Sequence, residues 1–358
     1  MIKTGHLQTY DIILTVQTPV HIGSGITVNK QEYVYDPRSK TVRIIDMDQF
    51  LQMLAEKELA DEYENFIIRN TYPGGLKEFL ESNSFTQSEI DKFVRYTCSV
   101  KDVFLETENQ PTSNIAQFIR MKNGSPFVPG SSVKGAIRTC LFTTLYKGDV
   151  TGDSLIRDYS SNERSVEPNV FHTLNINTYR KQDAVNSIMR SVSISDSEPI
   201  GNDRMIICKK KDLRANGRFS EPNVLRECIK PGTEIRCKLT IDRSIEGLTA
   251  EEILHSVVSF FDFYRKTYLS FFYKPSSFFL PEGSQNLILG GGSGFFSKTV
   301  IYNLNDFEKA HAYVKGYLKK KFSKGRHDRD FKIAPHTLKC TEYQDSLMHF
   351  GVCKLEVK

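Results

Sequence analysis

Hydrophobic and polar residues follow two different periods along the chain, and these periods predict strands and helices. Residues 7–18 are rich in β-branched side chains that partly alternate with polar ones, which predicts an opening strand that ends before Pro19. The same criteria predict further strands, at residues 114–121, 189–195, 204–210, 233–242, 285–289 and 348–357. Apolar residues at helical spacing predict helices, at residues 48–59, 88–96, 131–146, 249–272 and 306–322.

The order of these elements predicts an α+β protein in which each half of the chain forms a mixed sheet with helices on one face. The length of 358 residues is enough for about two domains. The turn-forming residues around Gly201 predict the division, which gives domains 1–198 and 199–358. Residues 46–108 are predicted to form a helical insert of the first domain. Residues 151–185 show no clear period, which predicts an irregular connection.

Charge is unevenly distributed along the chain. The 48 basic and 43 acidic side chains leave a net charge of only +5. The predicted insert 46–108 holds 14 Asp and Glu against 6 Lys and Arg, whereas residues 204–243 carry a net charge of +6 and residues 311–339 one of +7. Basic segments with interspersed aromatic residues are typical of surfaces that bind the phosphates of an extended nucleic acid, although a solvated helix face can have the same composition.

Several classes of protein do not fit this sequence. The first residues lack the apolar core of a signal peptide, and no segment approaches the ~20 apolar residues of a membrane span, so we expect a soluble, cytoplasmic protein without a membrane partner. Seven scattered cysteines without a Cys-x-x-Cys pair indicate neither a disulfide scaffold nor a standard zinc site. His349 and Cys353 lie on one predicted strand, where about 13 Å would separate them. We therefore expect no metal and no other cofactor.

Segment 129–139 combines a Pro-Gly turn with the start of a helix, which either of the following two serines can cap. Backbone N–H groups at a helix start can bind an anion. Lys134 and Arg138 lie four residues apart on one helical face, so both can follow the same phosphates. In the alternative interpretation Gly130 only turns the chain and both cations are solvated. The candidate RNA-binding residues are Gly130, Ser131, Ser132, Lys134 and Arg138.

Two further glycine-rich loops are candidates for close approach to a ligand. The run 289–299 differs from a P-loop because Ser297 stands where that motif needs glycine, and the G-x-G-x-x-G pattern is also incomplete. It predicts a turn that another backbone approaches closely. This backbone is either the phosphates of another chain or a neighbouring strand of the protein. The loop 19–25 has two glycines around a serine. The candidate RNA-binding residues of both loops are His21, Gly23, Ser24, Gly25, Gly291, Gly292, Ser293, Gly294 and Lys298.

His21 is the one histidine beside a glycine-rich loop, which is where a general base for attack by an RNA 2′-hydroxyl could lie. No second acid or base stands out near it in the sequence. A capping or core histidine is the more common explanation for such a residue.

Three motifs occur in an order and spacing that resemble the RAMP superfamily of CRISPR-associated proteins across nearly the whole chain. They are the opening strand with loop 19–25, the loop and helix start 127–138, and loop 290–294. The length, the acidic insert and segment 334–339 most resemble the family of fifth subunits of the type III-A Csm effector complex. The continuation into Phe295 and Phe296 departs from the glycine loop of some superfamily members.

The resemblance implies two tandem ferredoxin-like (RRM-like) domains and no catalytic residues. It implies binding to the 3′ region of the CRISPR RNA at the end of the backbone filament, together with contacts to the backbone and small subunits. It also implies a role in assembly and in maturation of the guide's 3′ end through recruited host nucleases. The alternative is a metal-independent CRISPR RNA endoribonuclease of the RAMP processing type, with His21 as acid or base. We favour the non-catalytic subunit, because the sequence shows no evident acid/base pair.

Overall fold

A computed structural model describes residues 5–69, 72, 75–100, 113–146, 163–304 and 306–358. The strands are β1 Leu7–Val16, β2 Gly23–Val28, β3 Tyr33–Asp36, β4 Thr41–Ile45, β5 Val94–Ser99, β6 Ile115–Phe118, β7 Val192–Ile194, β8 Met205–Lys209, β9 Lys211–Arg214, β10 Phe219–Ser220, β11 Leu225–Ile229, β12 Glu234–Asp242, β13 Phe278–Phe279, β14 Asn286–Ile288, β15 Thr337–Tyr343, β16 Ser346–His349 and β17 Val352–Val357. The α-helices are α1 Met47–Glu56, α2 Ala60–Arg69, α3 Gly75–Ser82, α4 Gln87–Lys92, α5 Gly130–Leu145, α6 Glu163–Phe171, α7 Ala250–Phe263, α8 Ile301–Leu304 and α9 Phe307–Lys321. No helix within these ranges is long and apolar enough to cross a membrane.

The predicted opening strand lies in the middle of a five-stranded sheet with the order β14-β17-β1-β12-β7. It pairs antiparallel with β12, where Leu7 faces Asp242, and with β17, where Ile12 faces Val357. The side chains of Ile12, Leu14 and Val16 are almost completely buried, as a strand with one covered face requires. The first and last strands of the chain are therefore direct neighbours.

The other two sheets have the orders β2-β6-β11-β8-β5-β4-β3 and β10-β9-β15-β16-β13. The seven-stranded sheet and the sheet around β1 each take strands from both sides of residue 199. The predicted division between 198 and 199 therefore does not separate the sheets. The assignment of two domains stays a prediction.

Two hydrophobic cores hold the sheets and the long helices together. One includes buried residues of β1, β12, α5 and α7. The other is largely aromatic, and within it Phe296 stacks on Tyr268 with ring centroids 4.3 Å apart and on Tyr302 at 4.5 Å. The predicted helix 249–272 is helical from Ala250 to Phe271, and it changes from α-helix to a π-turn at Tyr264 and to a 3₁₀ turn at Leu269.

The predicted insert contains four short helices with a core of their own. Phe50, Phe66 and Phe79 are buried there against one another and against β4, whereas Leu51 and Ile67 remain half exposed. The predicted helix 88–96 is wrong in its second half, because the chain leaves α4 after Lys92 and continues as β5, which pairs with β4. Residues 101–108 of the predicted insert lie outside the described residues.

Three other predicted elements differ from the structure. The first part of the predicted strand 189–195 is a 3₁₀ turn, Ile188–Ser191, and only Val192–Ile194 is a strand. Part of the segment 151–185 that was expected to be irregular forms α6, and its residues 151–162 lie outside the described residues. The predicted strand 348–357 is two strands, because Gly351 turns the chain with φ +92°. A Cβ at Gly351 would lie only 2.4 Å from the Leu289 carbonyl oxygen, so this turn requires glycine. His349 and Cys353 thus lie on different strands, and the distance expected from a single strand does not apply.

Candidate functional site

The loop around His21 and the loop around Gly290 are joined backbone to backbone. The Gly291 N–H donates to the His21 carbonyl at 2.6 Å, and an antiparallel bridge links these two residues. Gly290 has φ +83°, and a Cβ on it would lie 2.2 Å from the His21 carbonyl oxygen. Only glycine tolerates such an approach. Of the two neighbours predicted for this loop, the one found at Gly290 is therefore a segment of the same chain and not the phosphates of another chain.

The next glycines of the loop lie beside cations. Gly292 and Gly294 have φ values of +90° and +91°, and Cβ atoms on them would lie 3.6 Å from the Arg226 guanidinium and 3.5 Å from Lys339 Cγ. Ser293 is buried, and its hydroxyl donates to the Gly290 carbonyl at 3.1 Å. Gly291, Gly292, Ser293 and Gly294 therefore form a tightly folded turn at a basic surface.

The continuation of this loop into two phenylalanines, which departs from some superfamily members, gives it an anchor. Phe296 is buried in the aromatic core, while the next residues form a single 3₁₀ turn. The turn leaves Lys298 exposed, although partial desolvation lowers the pKa of its ammonium group. The stacked Phe296 ring fixes this end of the loop on the body of the protein.

Arg226 is a residue of this surface that was not singled out from the sequence. Its guanidinium lies 5.7 Å from the centre of the Phe350 ring, and its Nη1 is buried without a hydrogen-bond partner among the described residues. The sequence signal was only its membership of the basic segment 204–243. An arginine that approaches a glycine turn is well suited to bind phosphate oxygens.

His21 is a buried, neutral histidine. Its Nδ1–H donates to the backbone carbonyl of Glu227 at 2.7 Å, and its side chain is among the buried polar groups of the protein. Burial, with smaller contributions from the charges of Arg226 and Lys298, lowers the pKa of the imidazole to about 4, although the hydrogen bond to the Glu227 carbonyl acts to raise it. Within the described residues no other side chain hydrogen-bonds to the ring. These contacts agree with a core histidine rather than a general base.

A buried carboxylate lies behind the two joined loops. Glu227 is completely buried and accepts hydrogen bonds from the Tyr96 hydroxyl at 2.5 Å and the Phe118 N–H at 2.9 Å. Arg120 lies 3.4 Å from the same carboxylate, with its guanidinium 3.5 Å from the centre of the Tyr96 ring. This network connects β5, β6 and β11 and thereby supports the strand whose carbonyl holds His21.

The helix start at segment 129–139 is already occupied by groups of the chain itself. The cap is Pro129, so the expectation that a serine caps the helix is wrong. The Asp196 carboxylate accepts from the Gly130 N–H at 2.8 Å, and a Cβ on Gly130 would lie 2.1 Å from the Ile194 carbonyl oxygen. Gly130 is thus required for packing against β7. Ser131 is exposed and Ser132 half-buried beside it.

Lys134 and Arg138 both have partners within the chain. The Lys134 ammonium donates to the carbonyls of Met189 at 2.9 Å and Val192 at 2.6 Å, and burial lowers its pKa. Arg138 forms an ion pair with Glu167. The expectation that both cations are merely solvated is therefore wrong, and a contact of either one with RNA stays a prediction.

Gly23, Ser24 and Gly25 lie in β2 rather than in a free loop. Gly23 pairs with Phe118 of β6, and the Ser24 hydroxyl donates to the Gln117 carbonyl at 3.3 Å. Gly25 has φ +85° and no atom within 4 Å of where its Cβ would be. Its open surroundings leave this end of the strand accessible to a partner.

A cluster that the sequence analysis did not identify lies between α9 and β15. The carboxylate of Asp330 is completely buried and accepts hydrogen bonds from Nδ1 of His327 at 2.9 Å and from Nδ1 of His336. All three side chains offer metal-ligand atoms within 4.8 Å of one another. The signal in the sequence was the spacing His-x2-Asp-x5-His. The seven cysteines are free and buried, and none belongs to this cluster.

Comparison with solved structures supports the overall fold. A chain of a cryo-EM structure of a Csm–crRNA–target RNA ternary complex from a type III-A CRISPR-Cas system matches with a TM-score of 0.67 and 18% identity, covering 97% of this chain and all of that chain. The crystal structure of Csm5 from T. onnurineus matches with a TM-score of 0.59 and 16% identity, covering 96% of this chain and 99% of that one.

Named relatives and a family model indicate the family of this chain. A Csm5 protein of the CRISPR system from Streptococcus thermophilus is 29% identical over 82% of this chain and 80% of its own length. A Csm5 protein from Enterococcus italicus is 26% identical over 98% of this chain and 97% of its own length. These matches confirm the predicted resemblance. A family model described as the RAMP superfamily matches residues 13–321, and the chain therefore belongs to the RAMP superfamily.

Proposed function

We propose that this protein is a non-catalytic, CRISPR RNA-binding subunit of a cytoplasmic type III-A effector complex. It caps the backbone filament at the 3′ region of the guide, contacts the backbone and small subunits, and supports assembly and 3′-end maturation through recruited host nucleases. Similarity to Csm5 proteins over nearly the whole chain supports this assignment. Two tandem ferredoxin-like domains are part of the same proposal.

The observation that carries the proposal is the anchored glycine turn at residues 290–294. The turn is fixed on one side by the His21 backbone and on the other by the stacked Phe296 ring. Its middle glycine lies against Arg226, whose Nη1 lacks a hydrogen-bond partner among the described residues. A fixed glycine backbone beside an arginine whose Nη1 has no hydrogen-bond partner fits a phosphate of a nucleic-acid chain.

The surroundings of His21 support binding without cleavage. A metal-independent ribonuclease needs a general base within hydrogen-bond reach of the 2′-hydroxyl and an acid for the leaving group. The buried His21 instead uses its Nδ1–H for a backbone carbonyl, and its low pKa disfavours the protonated form that an acid needs. We therefore prefer the binding subunit to the endoribonuclease.

Reconstitution of the effector complex with and without this chain, followed by sizing of the bound RNA, tests the proposal. The complex that lacks the chain should hold guides with longer or heterogeneous 3′ ends. The variant Arg226→Gln should retain less guide, whereas the charge-matched control Arg69→Gln, on the exposed end of α2, should behave as wild type. Identical RNA sizes with and without the chain would contradict the proposal.

A further inference from the structure

Four cationic residues line a pocket formed by the end of β9 and the connection 322–336. The pocket has a volume of 280 Å³, and the residues of its lining that matter here are Arg214, Arg326, Arg329, Phe331, Lys332 and His336. Arg214 comes from the end of β9, and the others come from the connection 322–336. Four residues with a positive charge therefore line one cavity.

These four cations differ from several lysines of segment 204–243 that are paired with carboxylates. Lys210 lies 3.1 Å from Asp212, Lys211 lies 2.7 Å from Glu342, and Lys238 lies 2.8 Å from Asp11. By contrast, the side chains of the four pocket cations form no ion pair and no hydrogen bond with the described residues. Like charges that converge without a counter-ion repel one another, and a bound anion would relieve this repulsion.

An aromatic ring accompanies the cations. The Phe331 side chain lines the pocket and is 78% exposed, and the Lys315 ammonium lies 5.1 Å from its ring centre. A bulky apolar ring with that exposure contributes almost no stabilisation through burial in the protein core. Exposed aromatic rings beside a basic groove serve as stacking platforms for the bases of single-stranded nucleic acids.

The connection that bears these groups is held in place by Asp330. Its buried carboxylate binds both His327 and His336 and also accepts the His336 N–H at 3.3 Å. The two histidines and the aspartate could offer ligands to a metal ion. However, the surrounding arginines and the lysine disfavour a further cation and favour an anion. Asp330 therefore acts as a positioning residue for the rim of the pocket.

We propose that this pocket is a nucleotide-binding site for single-stranded RNA, in which the arginines bind phosphate and a base stacks on Phe331. The inference rests on the proposed function, since it gives the guide RNA a second contact apart from the glycine turn. It assigns a role to the basic connection 322–336. The site needs no particular base, because both stacking and phosphate binding tolerate any sequence.

Fluorescence anisotropy with a labelled oligouridylate, measured over a range of salt concentrations, tests this site. Each phosphate contact to a single strand contributes about 0.7 to the slope of log K against log salt. The double variant Arg326→Gln/Arg329→Gln should therefore lower the slope by about 1.4. The control Arg69→Gln/Lys92→Gln removes the same charge from exposed positions of the insert and should leave the slope unchanged. Phe331→Ala should weaken binding at least about fivefold, the lower limit for loss of one base stack.

The outcomes separate this inference from the proposed function. Wild-type slope in the double variant, with circular dichroism showing a folded protein, would overturn the pocket while leaving the subunit assignment intact. A second pair, Arg214→Gln/Lys332→Gln, repeats the test if the first variant does not fold. No RNA binding by the wild type, alone or in the complex, would contradict the proposed function itself. Thermal stabilisation by Zn²⁺ that Asp330→Asn abolishes, without any change in slope, would identify a metal site instead.

Discussion

Two neighbouring glycines allow a direct test of how the glycine turn is built. Gly290 and Gly292 both have positive φ, so alanine at either position should cost about 1–2 kcal/mol of folding free energy from backbone strain. At Gly290 the new Cβ would also lie 2.2 Å from the His21 carbonyl oxygen, whereas at Gly292 it would lie 3.6 Å from a guanidinium, which is an ordinary contact. Overpacking against a backbone adds about 1–3 kcal/mol.

Gly290→Ala should therefore lower the free energy of unfolding by about 2–5 kcal/mol and Gly292→Ala by only about 1–2 kcal/mol. Urea unfolding of both variants and the wild type measures this difference, provided that the slope with denaturant stays the same. Guide retention in the effector complex should show the opposite order. The larger substitution Gly292→Leu should reduce it more than Gly290→Ala does, because the leucine side chain enters the RNA-facing side of the turn. Equal stability of the two alanine variants would refute the close backbone junction between the loops.

Three further predictions concern buried or partly buried charged and titratable groups. His21 and His349 are both buried, and burial lowers their pKa values to about 4. Between pH 6.5 and 4 the unfolded chain therefore binds more protons than the folded chain. The contribution of each neutral histidine to the free energy of unfolding is complete above pH 6.5 and decreases as the pH falls. At pH 5 the loss is about 2 kcal/mol per histidine. His349→Gln should flatten the dependence of urea unfolding on pH, unlike the exposed control His255→Gln; an unchanged slope would contradict it. Glu227→Ala should destabilise folding by about 3–5 kcal/mol because it leaves Arg120 buried and unpaired, and a loss below about 1 kcal/mol in denaturation would count against the network. Lys134→Ala should lower the free energy of unfolding by about 2–4 kcal/mol, because two backbone carbonyls lose their hydrogen bonds from the Lys134 ammonium group; a loss below about 1 kcal/mol in urea unfolding would count against these two contacts.

Local periodicity predicted several of the longer elements but missed others, among them β11 and β15. The opening strand, the strand 233–242 and the helices starting near Thr249 and Asp306 all lie where their patterns placed them. Pairing of strands across the chain was not predictable, because it depends on contacts between residues far apart in sequence. The pairing of Leu7 with Asp242 is one such contact. The turn at Gly351 was not predicted either, because apolar and polar residues alternate on both sides of it.

The candidate site shows a similar limit. Spacing correctly placed Lys134 and Arg138 near one another on a helix, but it could not reveal that backbone carbonyls and Glu167 satisfy them. The helix start looked free for an anion, because Asp196 follows 66 residues after Gly130. The glycine-rich loops were recognised from the sequence, because positions with a positive φ favour glycine. Their cationic neighbour Arg226 was indicated only by its position in the basic segment 204–243.

The most direct test of the proposed function is photo-crosslinking of guide RNA in the reconstituted effector complex. Guides carrying 4-thiouridine at either the 3′ or the 5′ end would be crosslinked, and the attached peptides of this chain identified by mass spectrometry. We expect crosslinks from the 3′ end only, at residues 290–298 and 322–336, and none in the acidic segment 46–108, whose net charge of −8 repels RNA. Crosslinks from the 5′ end, or several within 46–108, would contradict the assignment of this chain as the subunit at the 3′ end of the guide.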